Sequence, residues 1–315
     1  MTFDAKRLLR LAALPGVLLL AAYGVATASG SGASTQPVPA RTASGYRKVM
    51  IIAEENKTYG QIIGSHQAPY LNRLATAYGS ARAMDAGYPA ACPSLAAYLL
   101  ITSGDRYGIC DDKGPRHHRV AGDNIFAQVA AAGRTWRVYG EDMPAPCARR
   151  NSADGVFLVR HTPAPYYLSE HDRCPGSDIP MGTPGKGALR DDVSTGNLPA
   201  YAFVTPNACH DMHTAHPCPG HGVPAGDAWL AQWVPQILAG PDFQAGRLVV
   251  IITWDEGSGS NNHIPTLVLS PTTRHRSPAT PFTHCSTLAT VEELLGLPRL
   301  GCAASTPTMT AAFHL

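Results

Sequence analysis

Short runs of apolar and β-branched residues alternate along the chain with stretches whose apolar positions repeat at helical spacing. The runs at residues 49–53, 135–139, 201–204, 248–254 and 266–269 predict strands. Between them, Asp123 is placed to cap a helix that runs to residue 132 and stops at Gly133, and Asp227 to cap one that runs to residue 238. Leu288, Val291 and Leu295 give residues 286–295 the spacing of a third helix. The alternation is β-α-β in kind and predicts an α/β fold, with a mostly parallel central sheet flanked by helices. Residues 147–187 carry many prolines and glycines and predict a loop-rich insertion over one edge of that sheet. No internal repeat is seen.

The pattern changes ahead of the first strand. Lys6, Arg7 and Arg10 precede an almost uncharged apolar stretch at 11–25, and Ala26-Thr27-Ala28 closes it as a peptidase site would require. The stretch falls short of the ~20 apolar residues of a membrane-spanning helix, so residues 1–28 are expected to be a signal peptide. A secreted or cell-envelope protein with no transmembrane segment in its mature chain follows from that reading. Residues 29–45 are rich in Gly, Ser, Thr and Pro and read as a flexible linker. Residues 46–305 are then expected to form a single domain, with 306–315 as a short tail.

Composition narrows the partners. The net charge is +2, charged residues make up 15% of the chain, and no basic stripe is interleaved with aromatics, so nucleic acid is not indicated. A small-molecule or lipid partner is expected; the oligomeric state is not written in the sequence. Eight cysteines, Cys92, Cys110, Cys147, Cys174, Cys209, Cys218, Cys285 and Cys302, lie beyond the apolar stretch, none in a C-x-x-C pair. In an exported chain they predict disulfides whose connectivity is not legible. The segment from Cys209 to Cys218, with His210, His213 and His216 inside it, is the one place that resembles a zinc knuckle.

Ligands of such folds bind beyond the carboxyl ends of the strands. The first run ends in Glu54-Glu55-Asn56 and the longest in Asp255-Glu256-Gly257. Carboxylates clustered beside apolar strands are costly unless a cation neutralises them, which points to a metal site; taken singly, each is also what a solvated strand end looks like. In Cys92-Pro93-Ser94-Leu95, a serine follows proline at the start of an apolar helical stretch. There it either helps bind an anion such as phosphate or simply caps the helix.

Together these segments resemble the phosphoesterase family of bacterial secreted acid phosphatases and phospholipases C, in the alkaline-phosphatase-like superfamily. The motifs read KVMIIAEENKTYGQIIG, CPSLAAYLLITSG and LVVIITWDEG, and the resemblance continues in order through APYLNRLA, TWRVYGEDMPAPC, RHTPAPYY, NLPAYAFVTPNACHDMH, GDAWLAQWVPQIL, IPTLVLSP and THCSTLATVEELLGLP. It covers nearly all of residues 48–302 and is strongest toward the smaller secreted acid phosphatases, including the mycobacterial phosphoinositide-acting kind.

The resemblance implies an alkaline-phosphatase-like fold and a phosphomonoesterase. Glu55, Asn56, Asp255 and Glu256 match the metal-binding positions, and Ser94 matches a nucleophile that also touches the metal and would form a phosphoseryl intermediate. His213 and His284 match positions lining the phosphate site, able to protonate the leaving group. Asp211 and His263 are weaker candidates for substrate binding or a second metal, and Asp211, His213 and His284 could together supply a histidine-rich second position. An all-oxygen shell favours Ca, Mg or Mn over Zn. Two departures stand out: Cys92 replaces the family's usual histidine, and Ala96-Ala97 replaces Pro-Asn. A phospholipase C-type phosphodiesterase would use the same core, and a noncatalytic surface-binding relative would keep the fold without the chemistry. No G-x-S-x-G elbow supports a Ser-His-Asp esterase.

Overall fold

All five predicted apolar runs fold as strands, because β-branched residues buried on both faces pack best in the interior of a sheet. The computed structural model describes residues 45–213, 218 and 220–315. Its strands are β1 (Lys48–Glu54), β2 (Gly79–Ser80), β3 (Trp136–Gly140), β4 (Asp178–Pro180), β5 (Tyr201–Thr205), β6 (Leu248–Trp254) and β7 (Thr266–Leu269). They form one sheet in the order β2-β7-β6-β1-β5-β3-β4. The pairs from β6 through β1, β5 and β3 to β4 are parallel, whereas β7 runs antiparallel to β6 and β2 antiparallel to β7. The mostly parallel sheet is thus as expected, and β2 and β4 are additions, too short to leave a pattern in the sequence.

The main helices are α1 (Pro69–Ala77), α2 (Leu95–Ser103), α3 (Ile125–Ala131), α4 (Ala188–Thr195), α5 (Val223–Ala239) and α6 (His284–Leu295). They flank the sheet in two packed groups, α2 with α3 and α6, and α5 with α1 and α4. Every residue of α2 is buried, which explains why it is apolar all round.

Three helix starts differ from expectation. Asn124, not Asp123, caps α3, its Oδ1 accepting from Ala127 N at 2.9 Å. Asp227 lies inside α5, which begins at Val223, and its carboxylate accepts from Tyr70 N and Leu71 N at 2.9 and 2.8 Å. It therefore caps α1, whose own Ala68 has no side chain able to do so. Helix α6 begins at His284, with Thr283 and Ser286 forming a reciprocal capping box.

Residues 147–187 form three 3-10 turns, a short helix and β4 itself, which pairs with β3 at the edge of the sheet. A Cys147–Cys174 disulfide closes this insertion; the other bridges are Cys92–Cys110, Cys209–Cys218 and Cys285–Cys302, so no cysteine is free. The last ten residues, set apart above as a tail, are held in the fold. Met309 and Phe313 are fully buried, and Thr273 Oγ1 donates to Phe313 O at 2.7 Å. Among the described residues, no helix is long and apolar enough to cross a membrane. The expected signal peptide and linker, together with His216, lie outside the described residues apart from Gly45.

Candidate active site

Parallel pairing of β1 with β6 sets Glu54 opposite Trp254, so the two polar segments that follow leave the sheet side by side. Asp255 N donates to Glu54 O at 2.9 Å. Asn56 turns the chain with a left-handed backbone, φ 47°. Its N–H donates to Asp255 Oδ1 at 3.0 Å and its Nδ2 to Glu256 Oε1 at 2.6 Å. Gly257 completes the loop after Glu256, because a Cβ there would stand 1.7 Å from Asn261 O. Tyr88 OH holds the other Glu256 oxygen at 3.1 Å.

Ser94 arrives on the N-terminus of α2. Its side chain makes no capping bond; Oγ donates instead to Glu55 Oε2 at 2.8 Å. Asp112 takes over at the helix start, with Oδ1 accepting from Leu95 N at 3.1 Å. One turn on, Tyr98 OH donates to Glu55 Oε1 at 2.7 Å. Gly104 ends α2 in the left-handed region, where an added Cβ would stand 2.7 Å from Leu300 O. Ala96 and Ala97 lie fully buried, and Cys92 is bonded to Cys110, so these substituted positions serve packing and cross-linking.

A residue not singled out from the sequence joins them. His161, from the insertion, places Nε2 3.0 Å from Glu55 Oε1 and Nδ1 3.9 Å from Asp211 Oδ2, and stacks on Tyr98 with ring centroids 5.2 Å apart. Its only sequence signal is the RHTP string within the resemblance. Arg160 beside it pairs with Asp112 Oδ2 at 3.1 Å.

Glu54, Glu55, Asp211 and Asp255 are all essentially inaccessible to solvent. Burial pushes Glu54, Asp211 and Asp255 well above the ordinary carboxylate range, and repulsion among these acids pushes the same way. Burial also raises Glu55, opposed by the Arg160 charge and by the Tyr98 and Ser94 hydrogen bonds. Glu256 is pushed up to about 7, first by burial and then by the Glu55 charge. Buried Lys57, whose ammonium bonds to Asn56 O, is the nearby lysine, and desolvation lowers it.

So many buried acids call for a counter-cation, and the donor chemistry fits one. Glu55, Asn56, Ser94, Asp255 and Glu256 offer only oxygens, and the buried Asn56 Oδ1 and Asp255 Oδ2 have no hydrogen-bond partner. Among the described residues, three ligand atoms of His, Cys, Asp or Glu fall within 4.8 Å of one another only at Cys147, Cys174 and Asp178, where the sulfurs are bonded to each other. The strand-end carboxylates are thus not gathered that closely by themselves, and the oxygens of Asn56 and Ser94 lie among them. The zinc-knuckle thiols, Cys209 and Cys218, are joined in a disulfide.

The remaining candidates separate. His213 lines a cleft of about 390 Å³ together with Asn56, Lys57 and Glu256, and its N–H donates to Asp211 Oδ1 at 2.8 Å. His284 is fully buried behind the cluster, with Nε2 donating to Asp255 O at 2.6 Å. Desolvation pushes it down to about 4, so it stays neutral at mildly acidic pH and orients Asp255. His263 faces away: Nε2 bonds to Arg82 O at 2.9 Å and its ring stacks on Tyr59.

A family model described as the Phosphoesterase family matches residues 65–298, a span that begins just after Glu55 and Asn56. Phosphatidylinositol-3-phosphatase of Mycobacterium tuberculosis is 29% identical over 318 residues, covering 96% of this chain and 94% of that protein. An acid phosphatase of Aspergillus fumigatus is 24% identical and covers 68% of this chain but 48% of its own length. A crystal structure of a Vibrio parahaemolyticus protein in the alkaline phosphatase superfamily superposes with a TM-score of 0.56 at 15% identity, covering 83% of this chain and 69% of that one. That structure shares the fold. The chain therefore belongs to the phosphoesterase family and is a phosphoric-ester hydrolase.

Proposed function

We propose that this hydrolase removes phosphate from monoesters through a covalent intermediate on Ser94, in a site where Glu55, Asn56, Ser94, Asp255 and Glu256 hold a divalent cation. The observation that carries the reading is the Ser94 hydroxyl, which is buried at a helix start yet hydrogen-bonded to Glu55 rather than to its own helix. A hard divalent ion bound by those oxygens supplies charge that favours the serine alkoxide and offsets the phosphoryl oxygens.

The chain's own groups account for the rest. Ser94 Oγ attacks phosphorus while Glu55 Oε2, at 2.8 Å, stands ready for its proton. The P–O(Ser) bond forms as the ester P–O bond breaks in line, and the leaving alkoxide takes a proton, for which His213 at the cleft is the best-placed candidate among the three predicted histidines. Water then splits the phosphoserine, releasing inorganic phosphate and restoring the hydroxyl. Tyr98 and His161 fix the Glu55 carboxylate, and His284 fixes Asp255 through its carbonyl.

Similarity to a phosphatidylinositol-3-phosphatase over most of both chains makes a phosphoinositide monoester the first physiological class to test. Export through residues 1–28 is part of the same reading; four disulfides suit an oxidising compartment. A substrate panel with Ca, Mg and Mn tests the function. Inorganic phosphate should appear from aryl phosphates and phosphoinositide monoesters, and phosphatidylcholine should be left intact. Release of phosphocholine from phosphatidylcholine would transfer the assignment to a phospholipase C.

A further inference from the structure

A second cavity, of about 420 Å³, opens between residues 112–117 and 149–159. Arg116, His117, Arg149 and Arg150 line it, and Asp112 is its one acidic residue. Both Asp112 oxygens are engaged, Oδ1 with Leu95 N and Oδ2 with Arg160 Nε, each at 3.1 Å. Among the described residues, no carboxylate pairs with Arg116, Arg149 or Arg150. The cavity is therefore lined by three arginines to which no described acid of the chain is committed. Arginine forks of this kind match the oxygens of a phosphate.

The cavity is linked to the start of α2, which carries Ser94, through Asp112. Asp112 touches the residue after Ser94, and Val159, on the cavity wall, precedes Arg160 and the His161 that meets Glu55. Both walls are tethered as well. The Cys92–Cys110 bridge ties the 112–117 loop to the segment carrying Ser94, and Cys147–Cys174 anchors the chain just before Arg149. Arg116, Arg149 and Arg150 are themselves exposed, but the two segments that carry them are anchored by these bridges.

From this arrangement we infer that the cavity binds a second anionic, phosphate-class group of the same substrate molecule, so that the enzyme selects esters bearing two such groups. The inference rests on the Ser94 reading above, since it takes Ser94 as the end of the site where the scissile phosphate lies.

The test compares kcat/KM for a soluble monophosphate with matched compounds carrying a second group, a phosphomonoester in one arm and a phosphodiester in the other. Wild-type enzyme should prefer at least one doubly charged compound. In the double variant Arg149→Gln/Arg150→Gln that preference should fall about tenfold or more, chiefly through KM, and Arg149→Lys/Arg150→Lys should keep part of it. The arm with the larger loss identifies the group bound. An unchanged preference ratio, or equal losses on all three compounds, would overturn the inference. Failure of the Ser94 reading would show separately, as undiminished turnover of the monophosphate by Ser94→Ala, and leaves the ratio measurement valid.

Discussion

Ser94 Oγ donates to Glu55 Oε2 at 2.8 Å, joining the start of α2 to the end of β1 across 39 residues of sequence. A serine at a helix N-terminus ordinarily turns its oxygen toward the amide two or three residues on. Here the Ala96 and Ala97 amides bond to the Pro93 and Ser94 carbonyls, Asp112 accepts from the Leu95 amide, and the hydroxyl faces a carboxylate. That arrangement sets Ser94 apart from a serine whose hydroxyl caps its own helix.

The carboxylates at the strand ends should act through a cation. Glu55→Gln and Asp255→Asn each remove one charged oxygen from the shell, and activity at low metal should fall by roughly 10²-fold, with partial recovery as metal is raised. Thermal shift against Ca, Mg or Mn gives an independent readout. Wild type should be stabilised in proportion to metal, and the variants only at higher concentration. Identical metal titrations for wild type and both variants would remove these residues from the shell.

His161 should matter although it is remote from Ser94 in sequence. It supports Glu55 at 3.0 Å and packs on Tyr98, so His161→Ala should cost about 10- to 100-fold in metal affinity or kcat, and His161→Gln should restore part of the loss. A change confined to thermal stability, with the metal titration and kcat unmoved, would make it a packing residue only.

A pH effect on stability should come from Glu292, on α6 away from the strand ends. Burial pushes its carboxyl up to about 7, opposed by donation from Leu300 N and by Arg299. Because the folded value is raised, the stability it contributes is fully present below the unfolded value near 4.5 and is lost as pH rises through about 7. Glu292→Gln should flatten the decline in stability between pH 5 and 8 relative to wild type, as measured by denaturant unfolding. Parallel pH profiles for the two proteins would contradict the assignment.

Much of this arrangement is legible in the sequence where apolar periodicity meets a polar cluster. Glu55-Asn56 and Asp255-Glu256 follow the two longest buried strands, so the expected strands also locate the site between them. Long-range choices are not legible. Asp227 has the form of a local helix cap, yet it caps α1, because only the packing of α5 against α1 brings the Tyr70 and Leu71 amides to it. His161 sits in an aperiodic insertion whose course is fixed by tertiary contacts and the Cys147–Cys174 bridge. His263 follows the Asp-Glu-Gly loop closely in sequence, but the turn through Asn261 and Asn262 directs it to Arg82.

The central claim is that Ser94 carries the phosphoryl group, and trapping that intermediate tests it most directly. Wild-type enzyme supplied with metal and an aryl phosphate is quenched in acid during turnover, digested, and its phosphoserine mapped by mass spectrometry. Phosphate should be found on Ser94. Ser94→Ala should show none and lose ~10³-fold or more of turnover at every metal concentration. If wild type yields no phosphoserine and Ser94→Ala keeps substantial activity, Ser94 is a structural residue and the covalent mechanism is wrong.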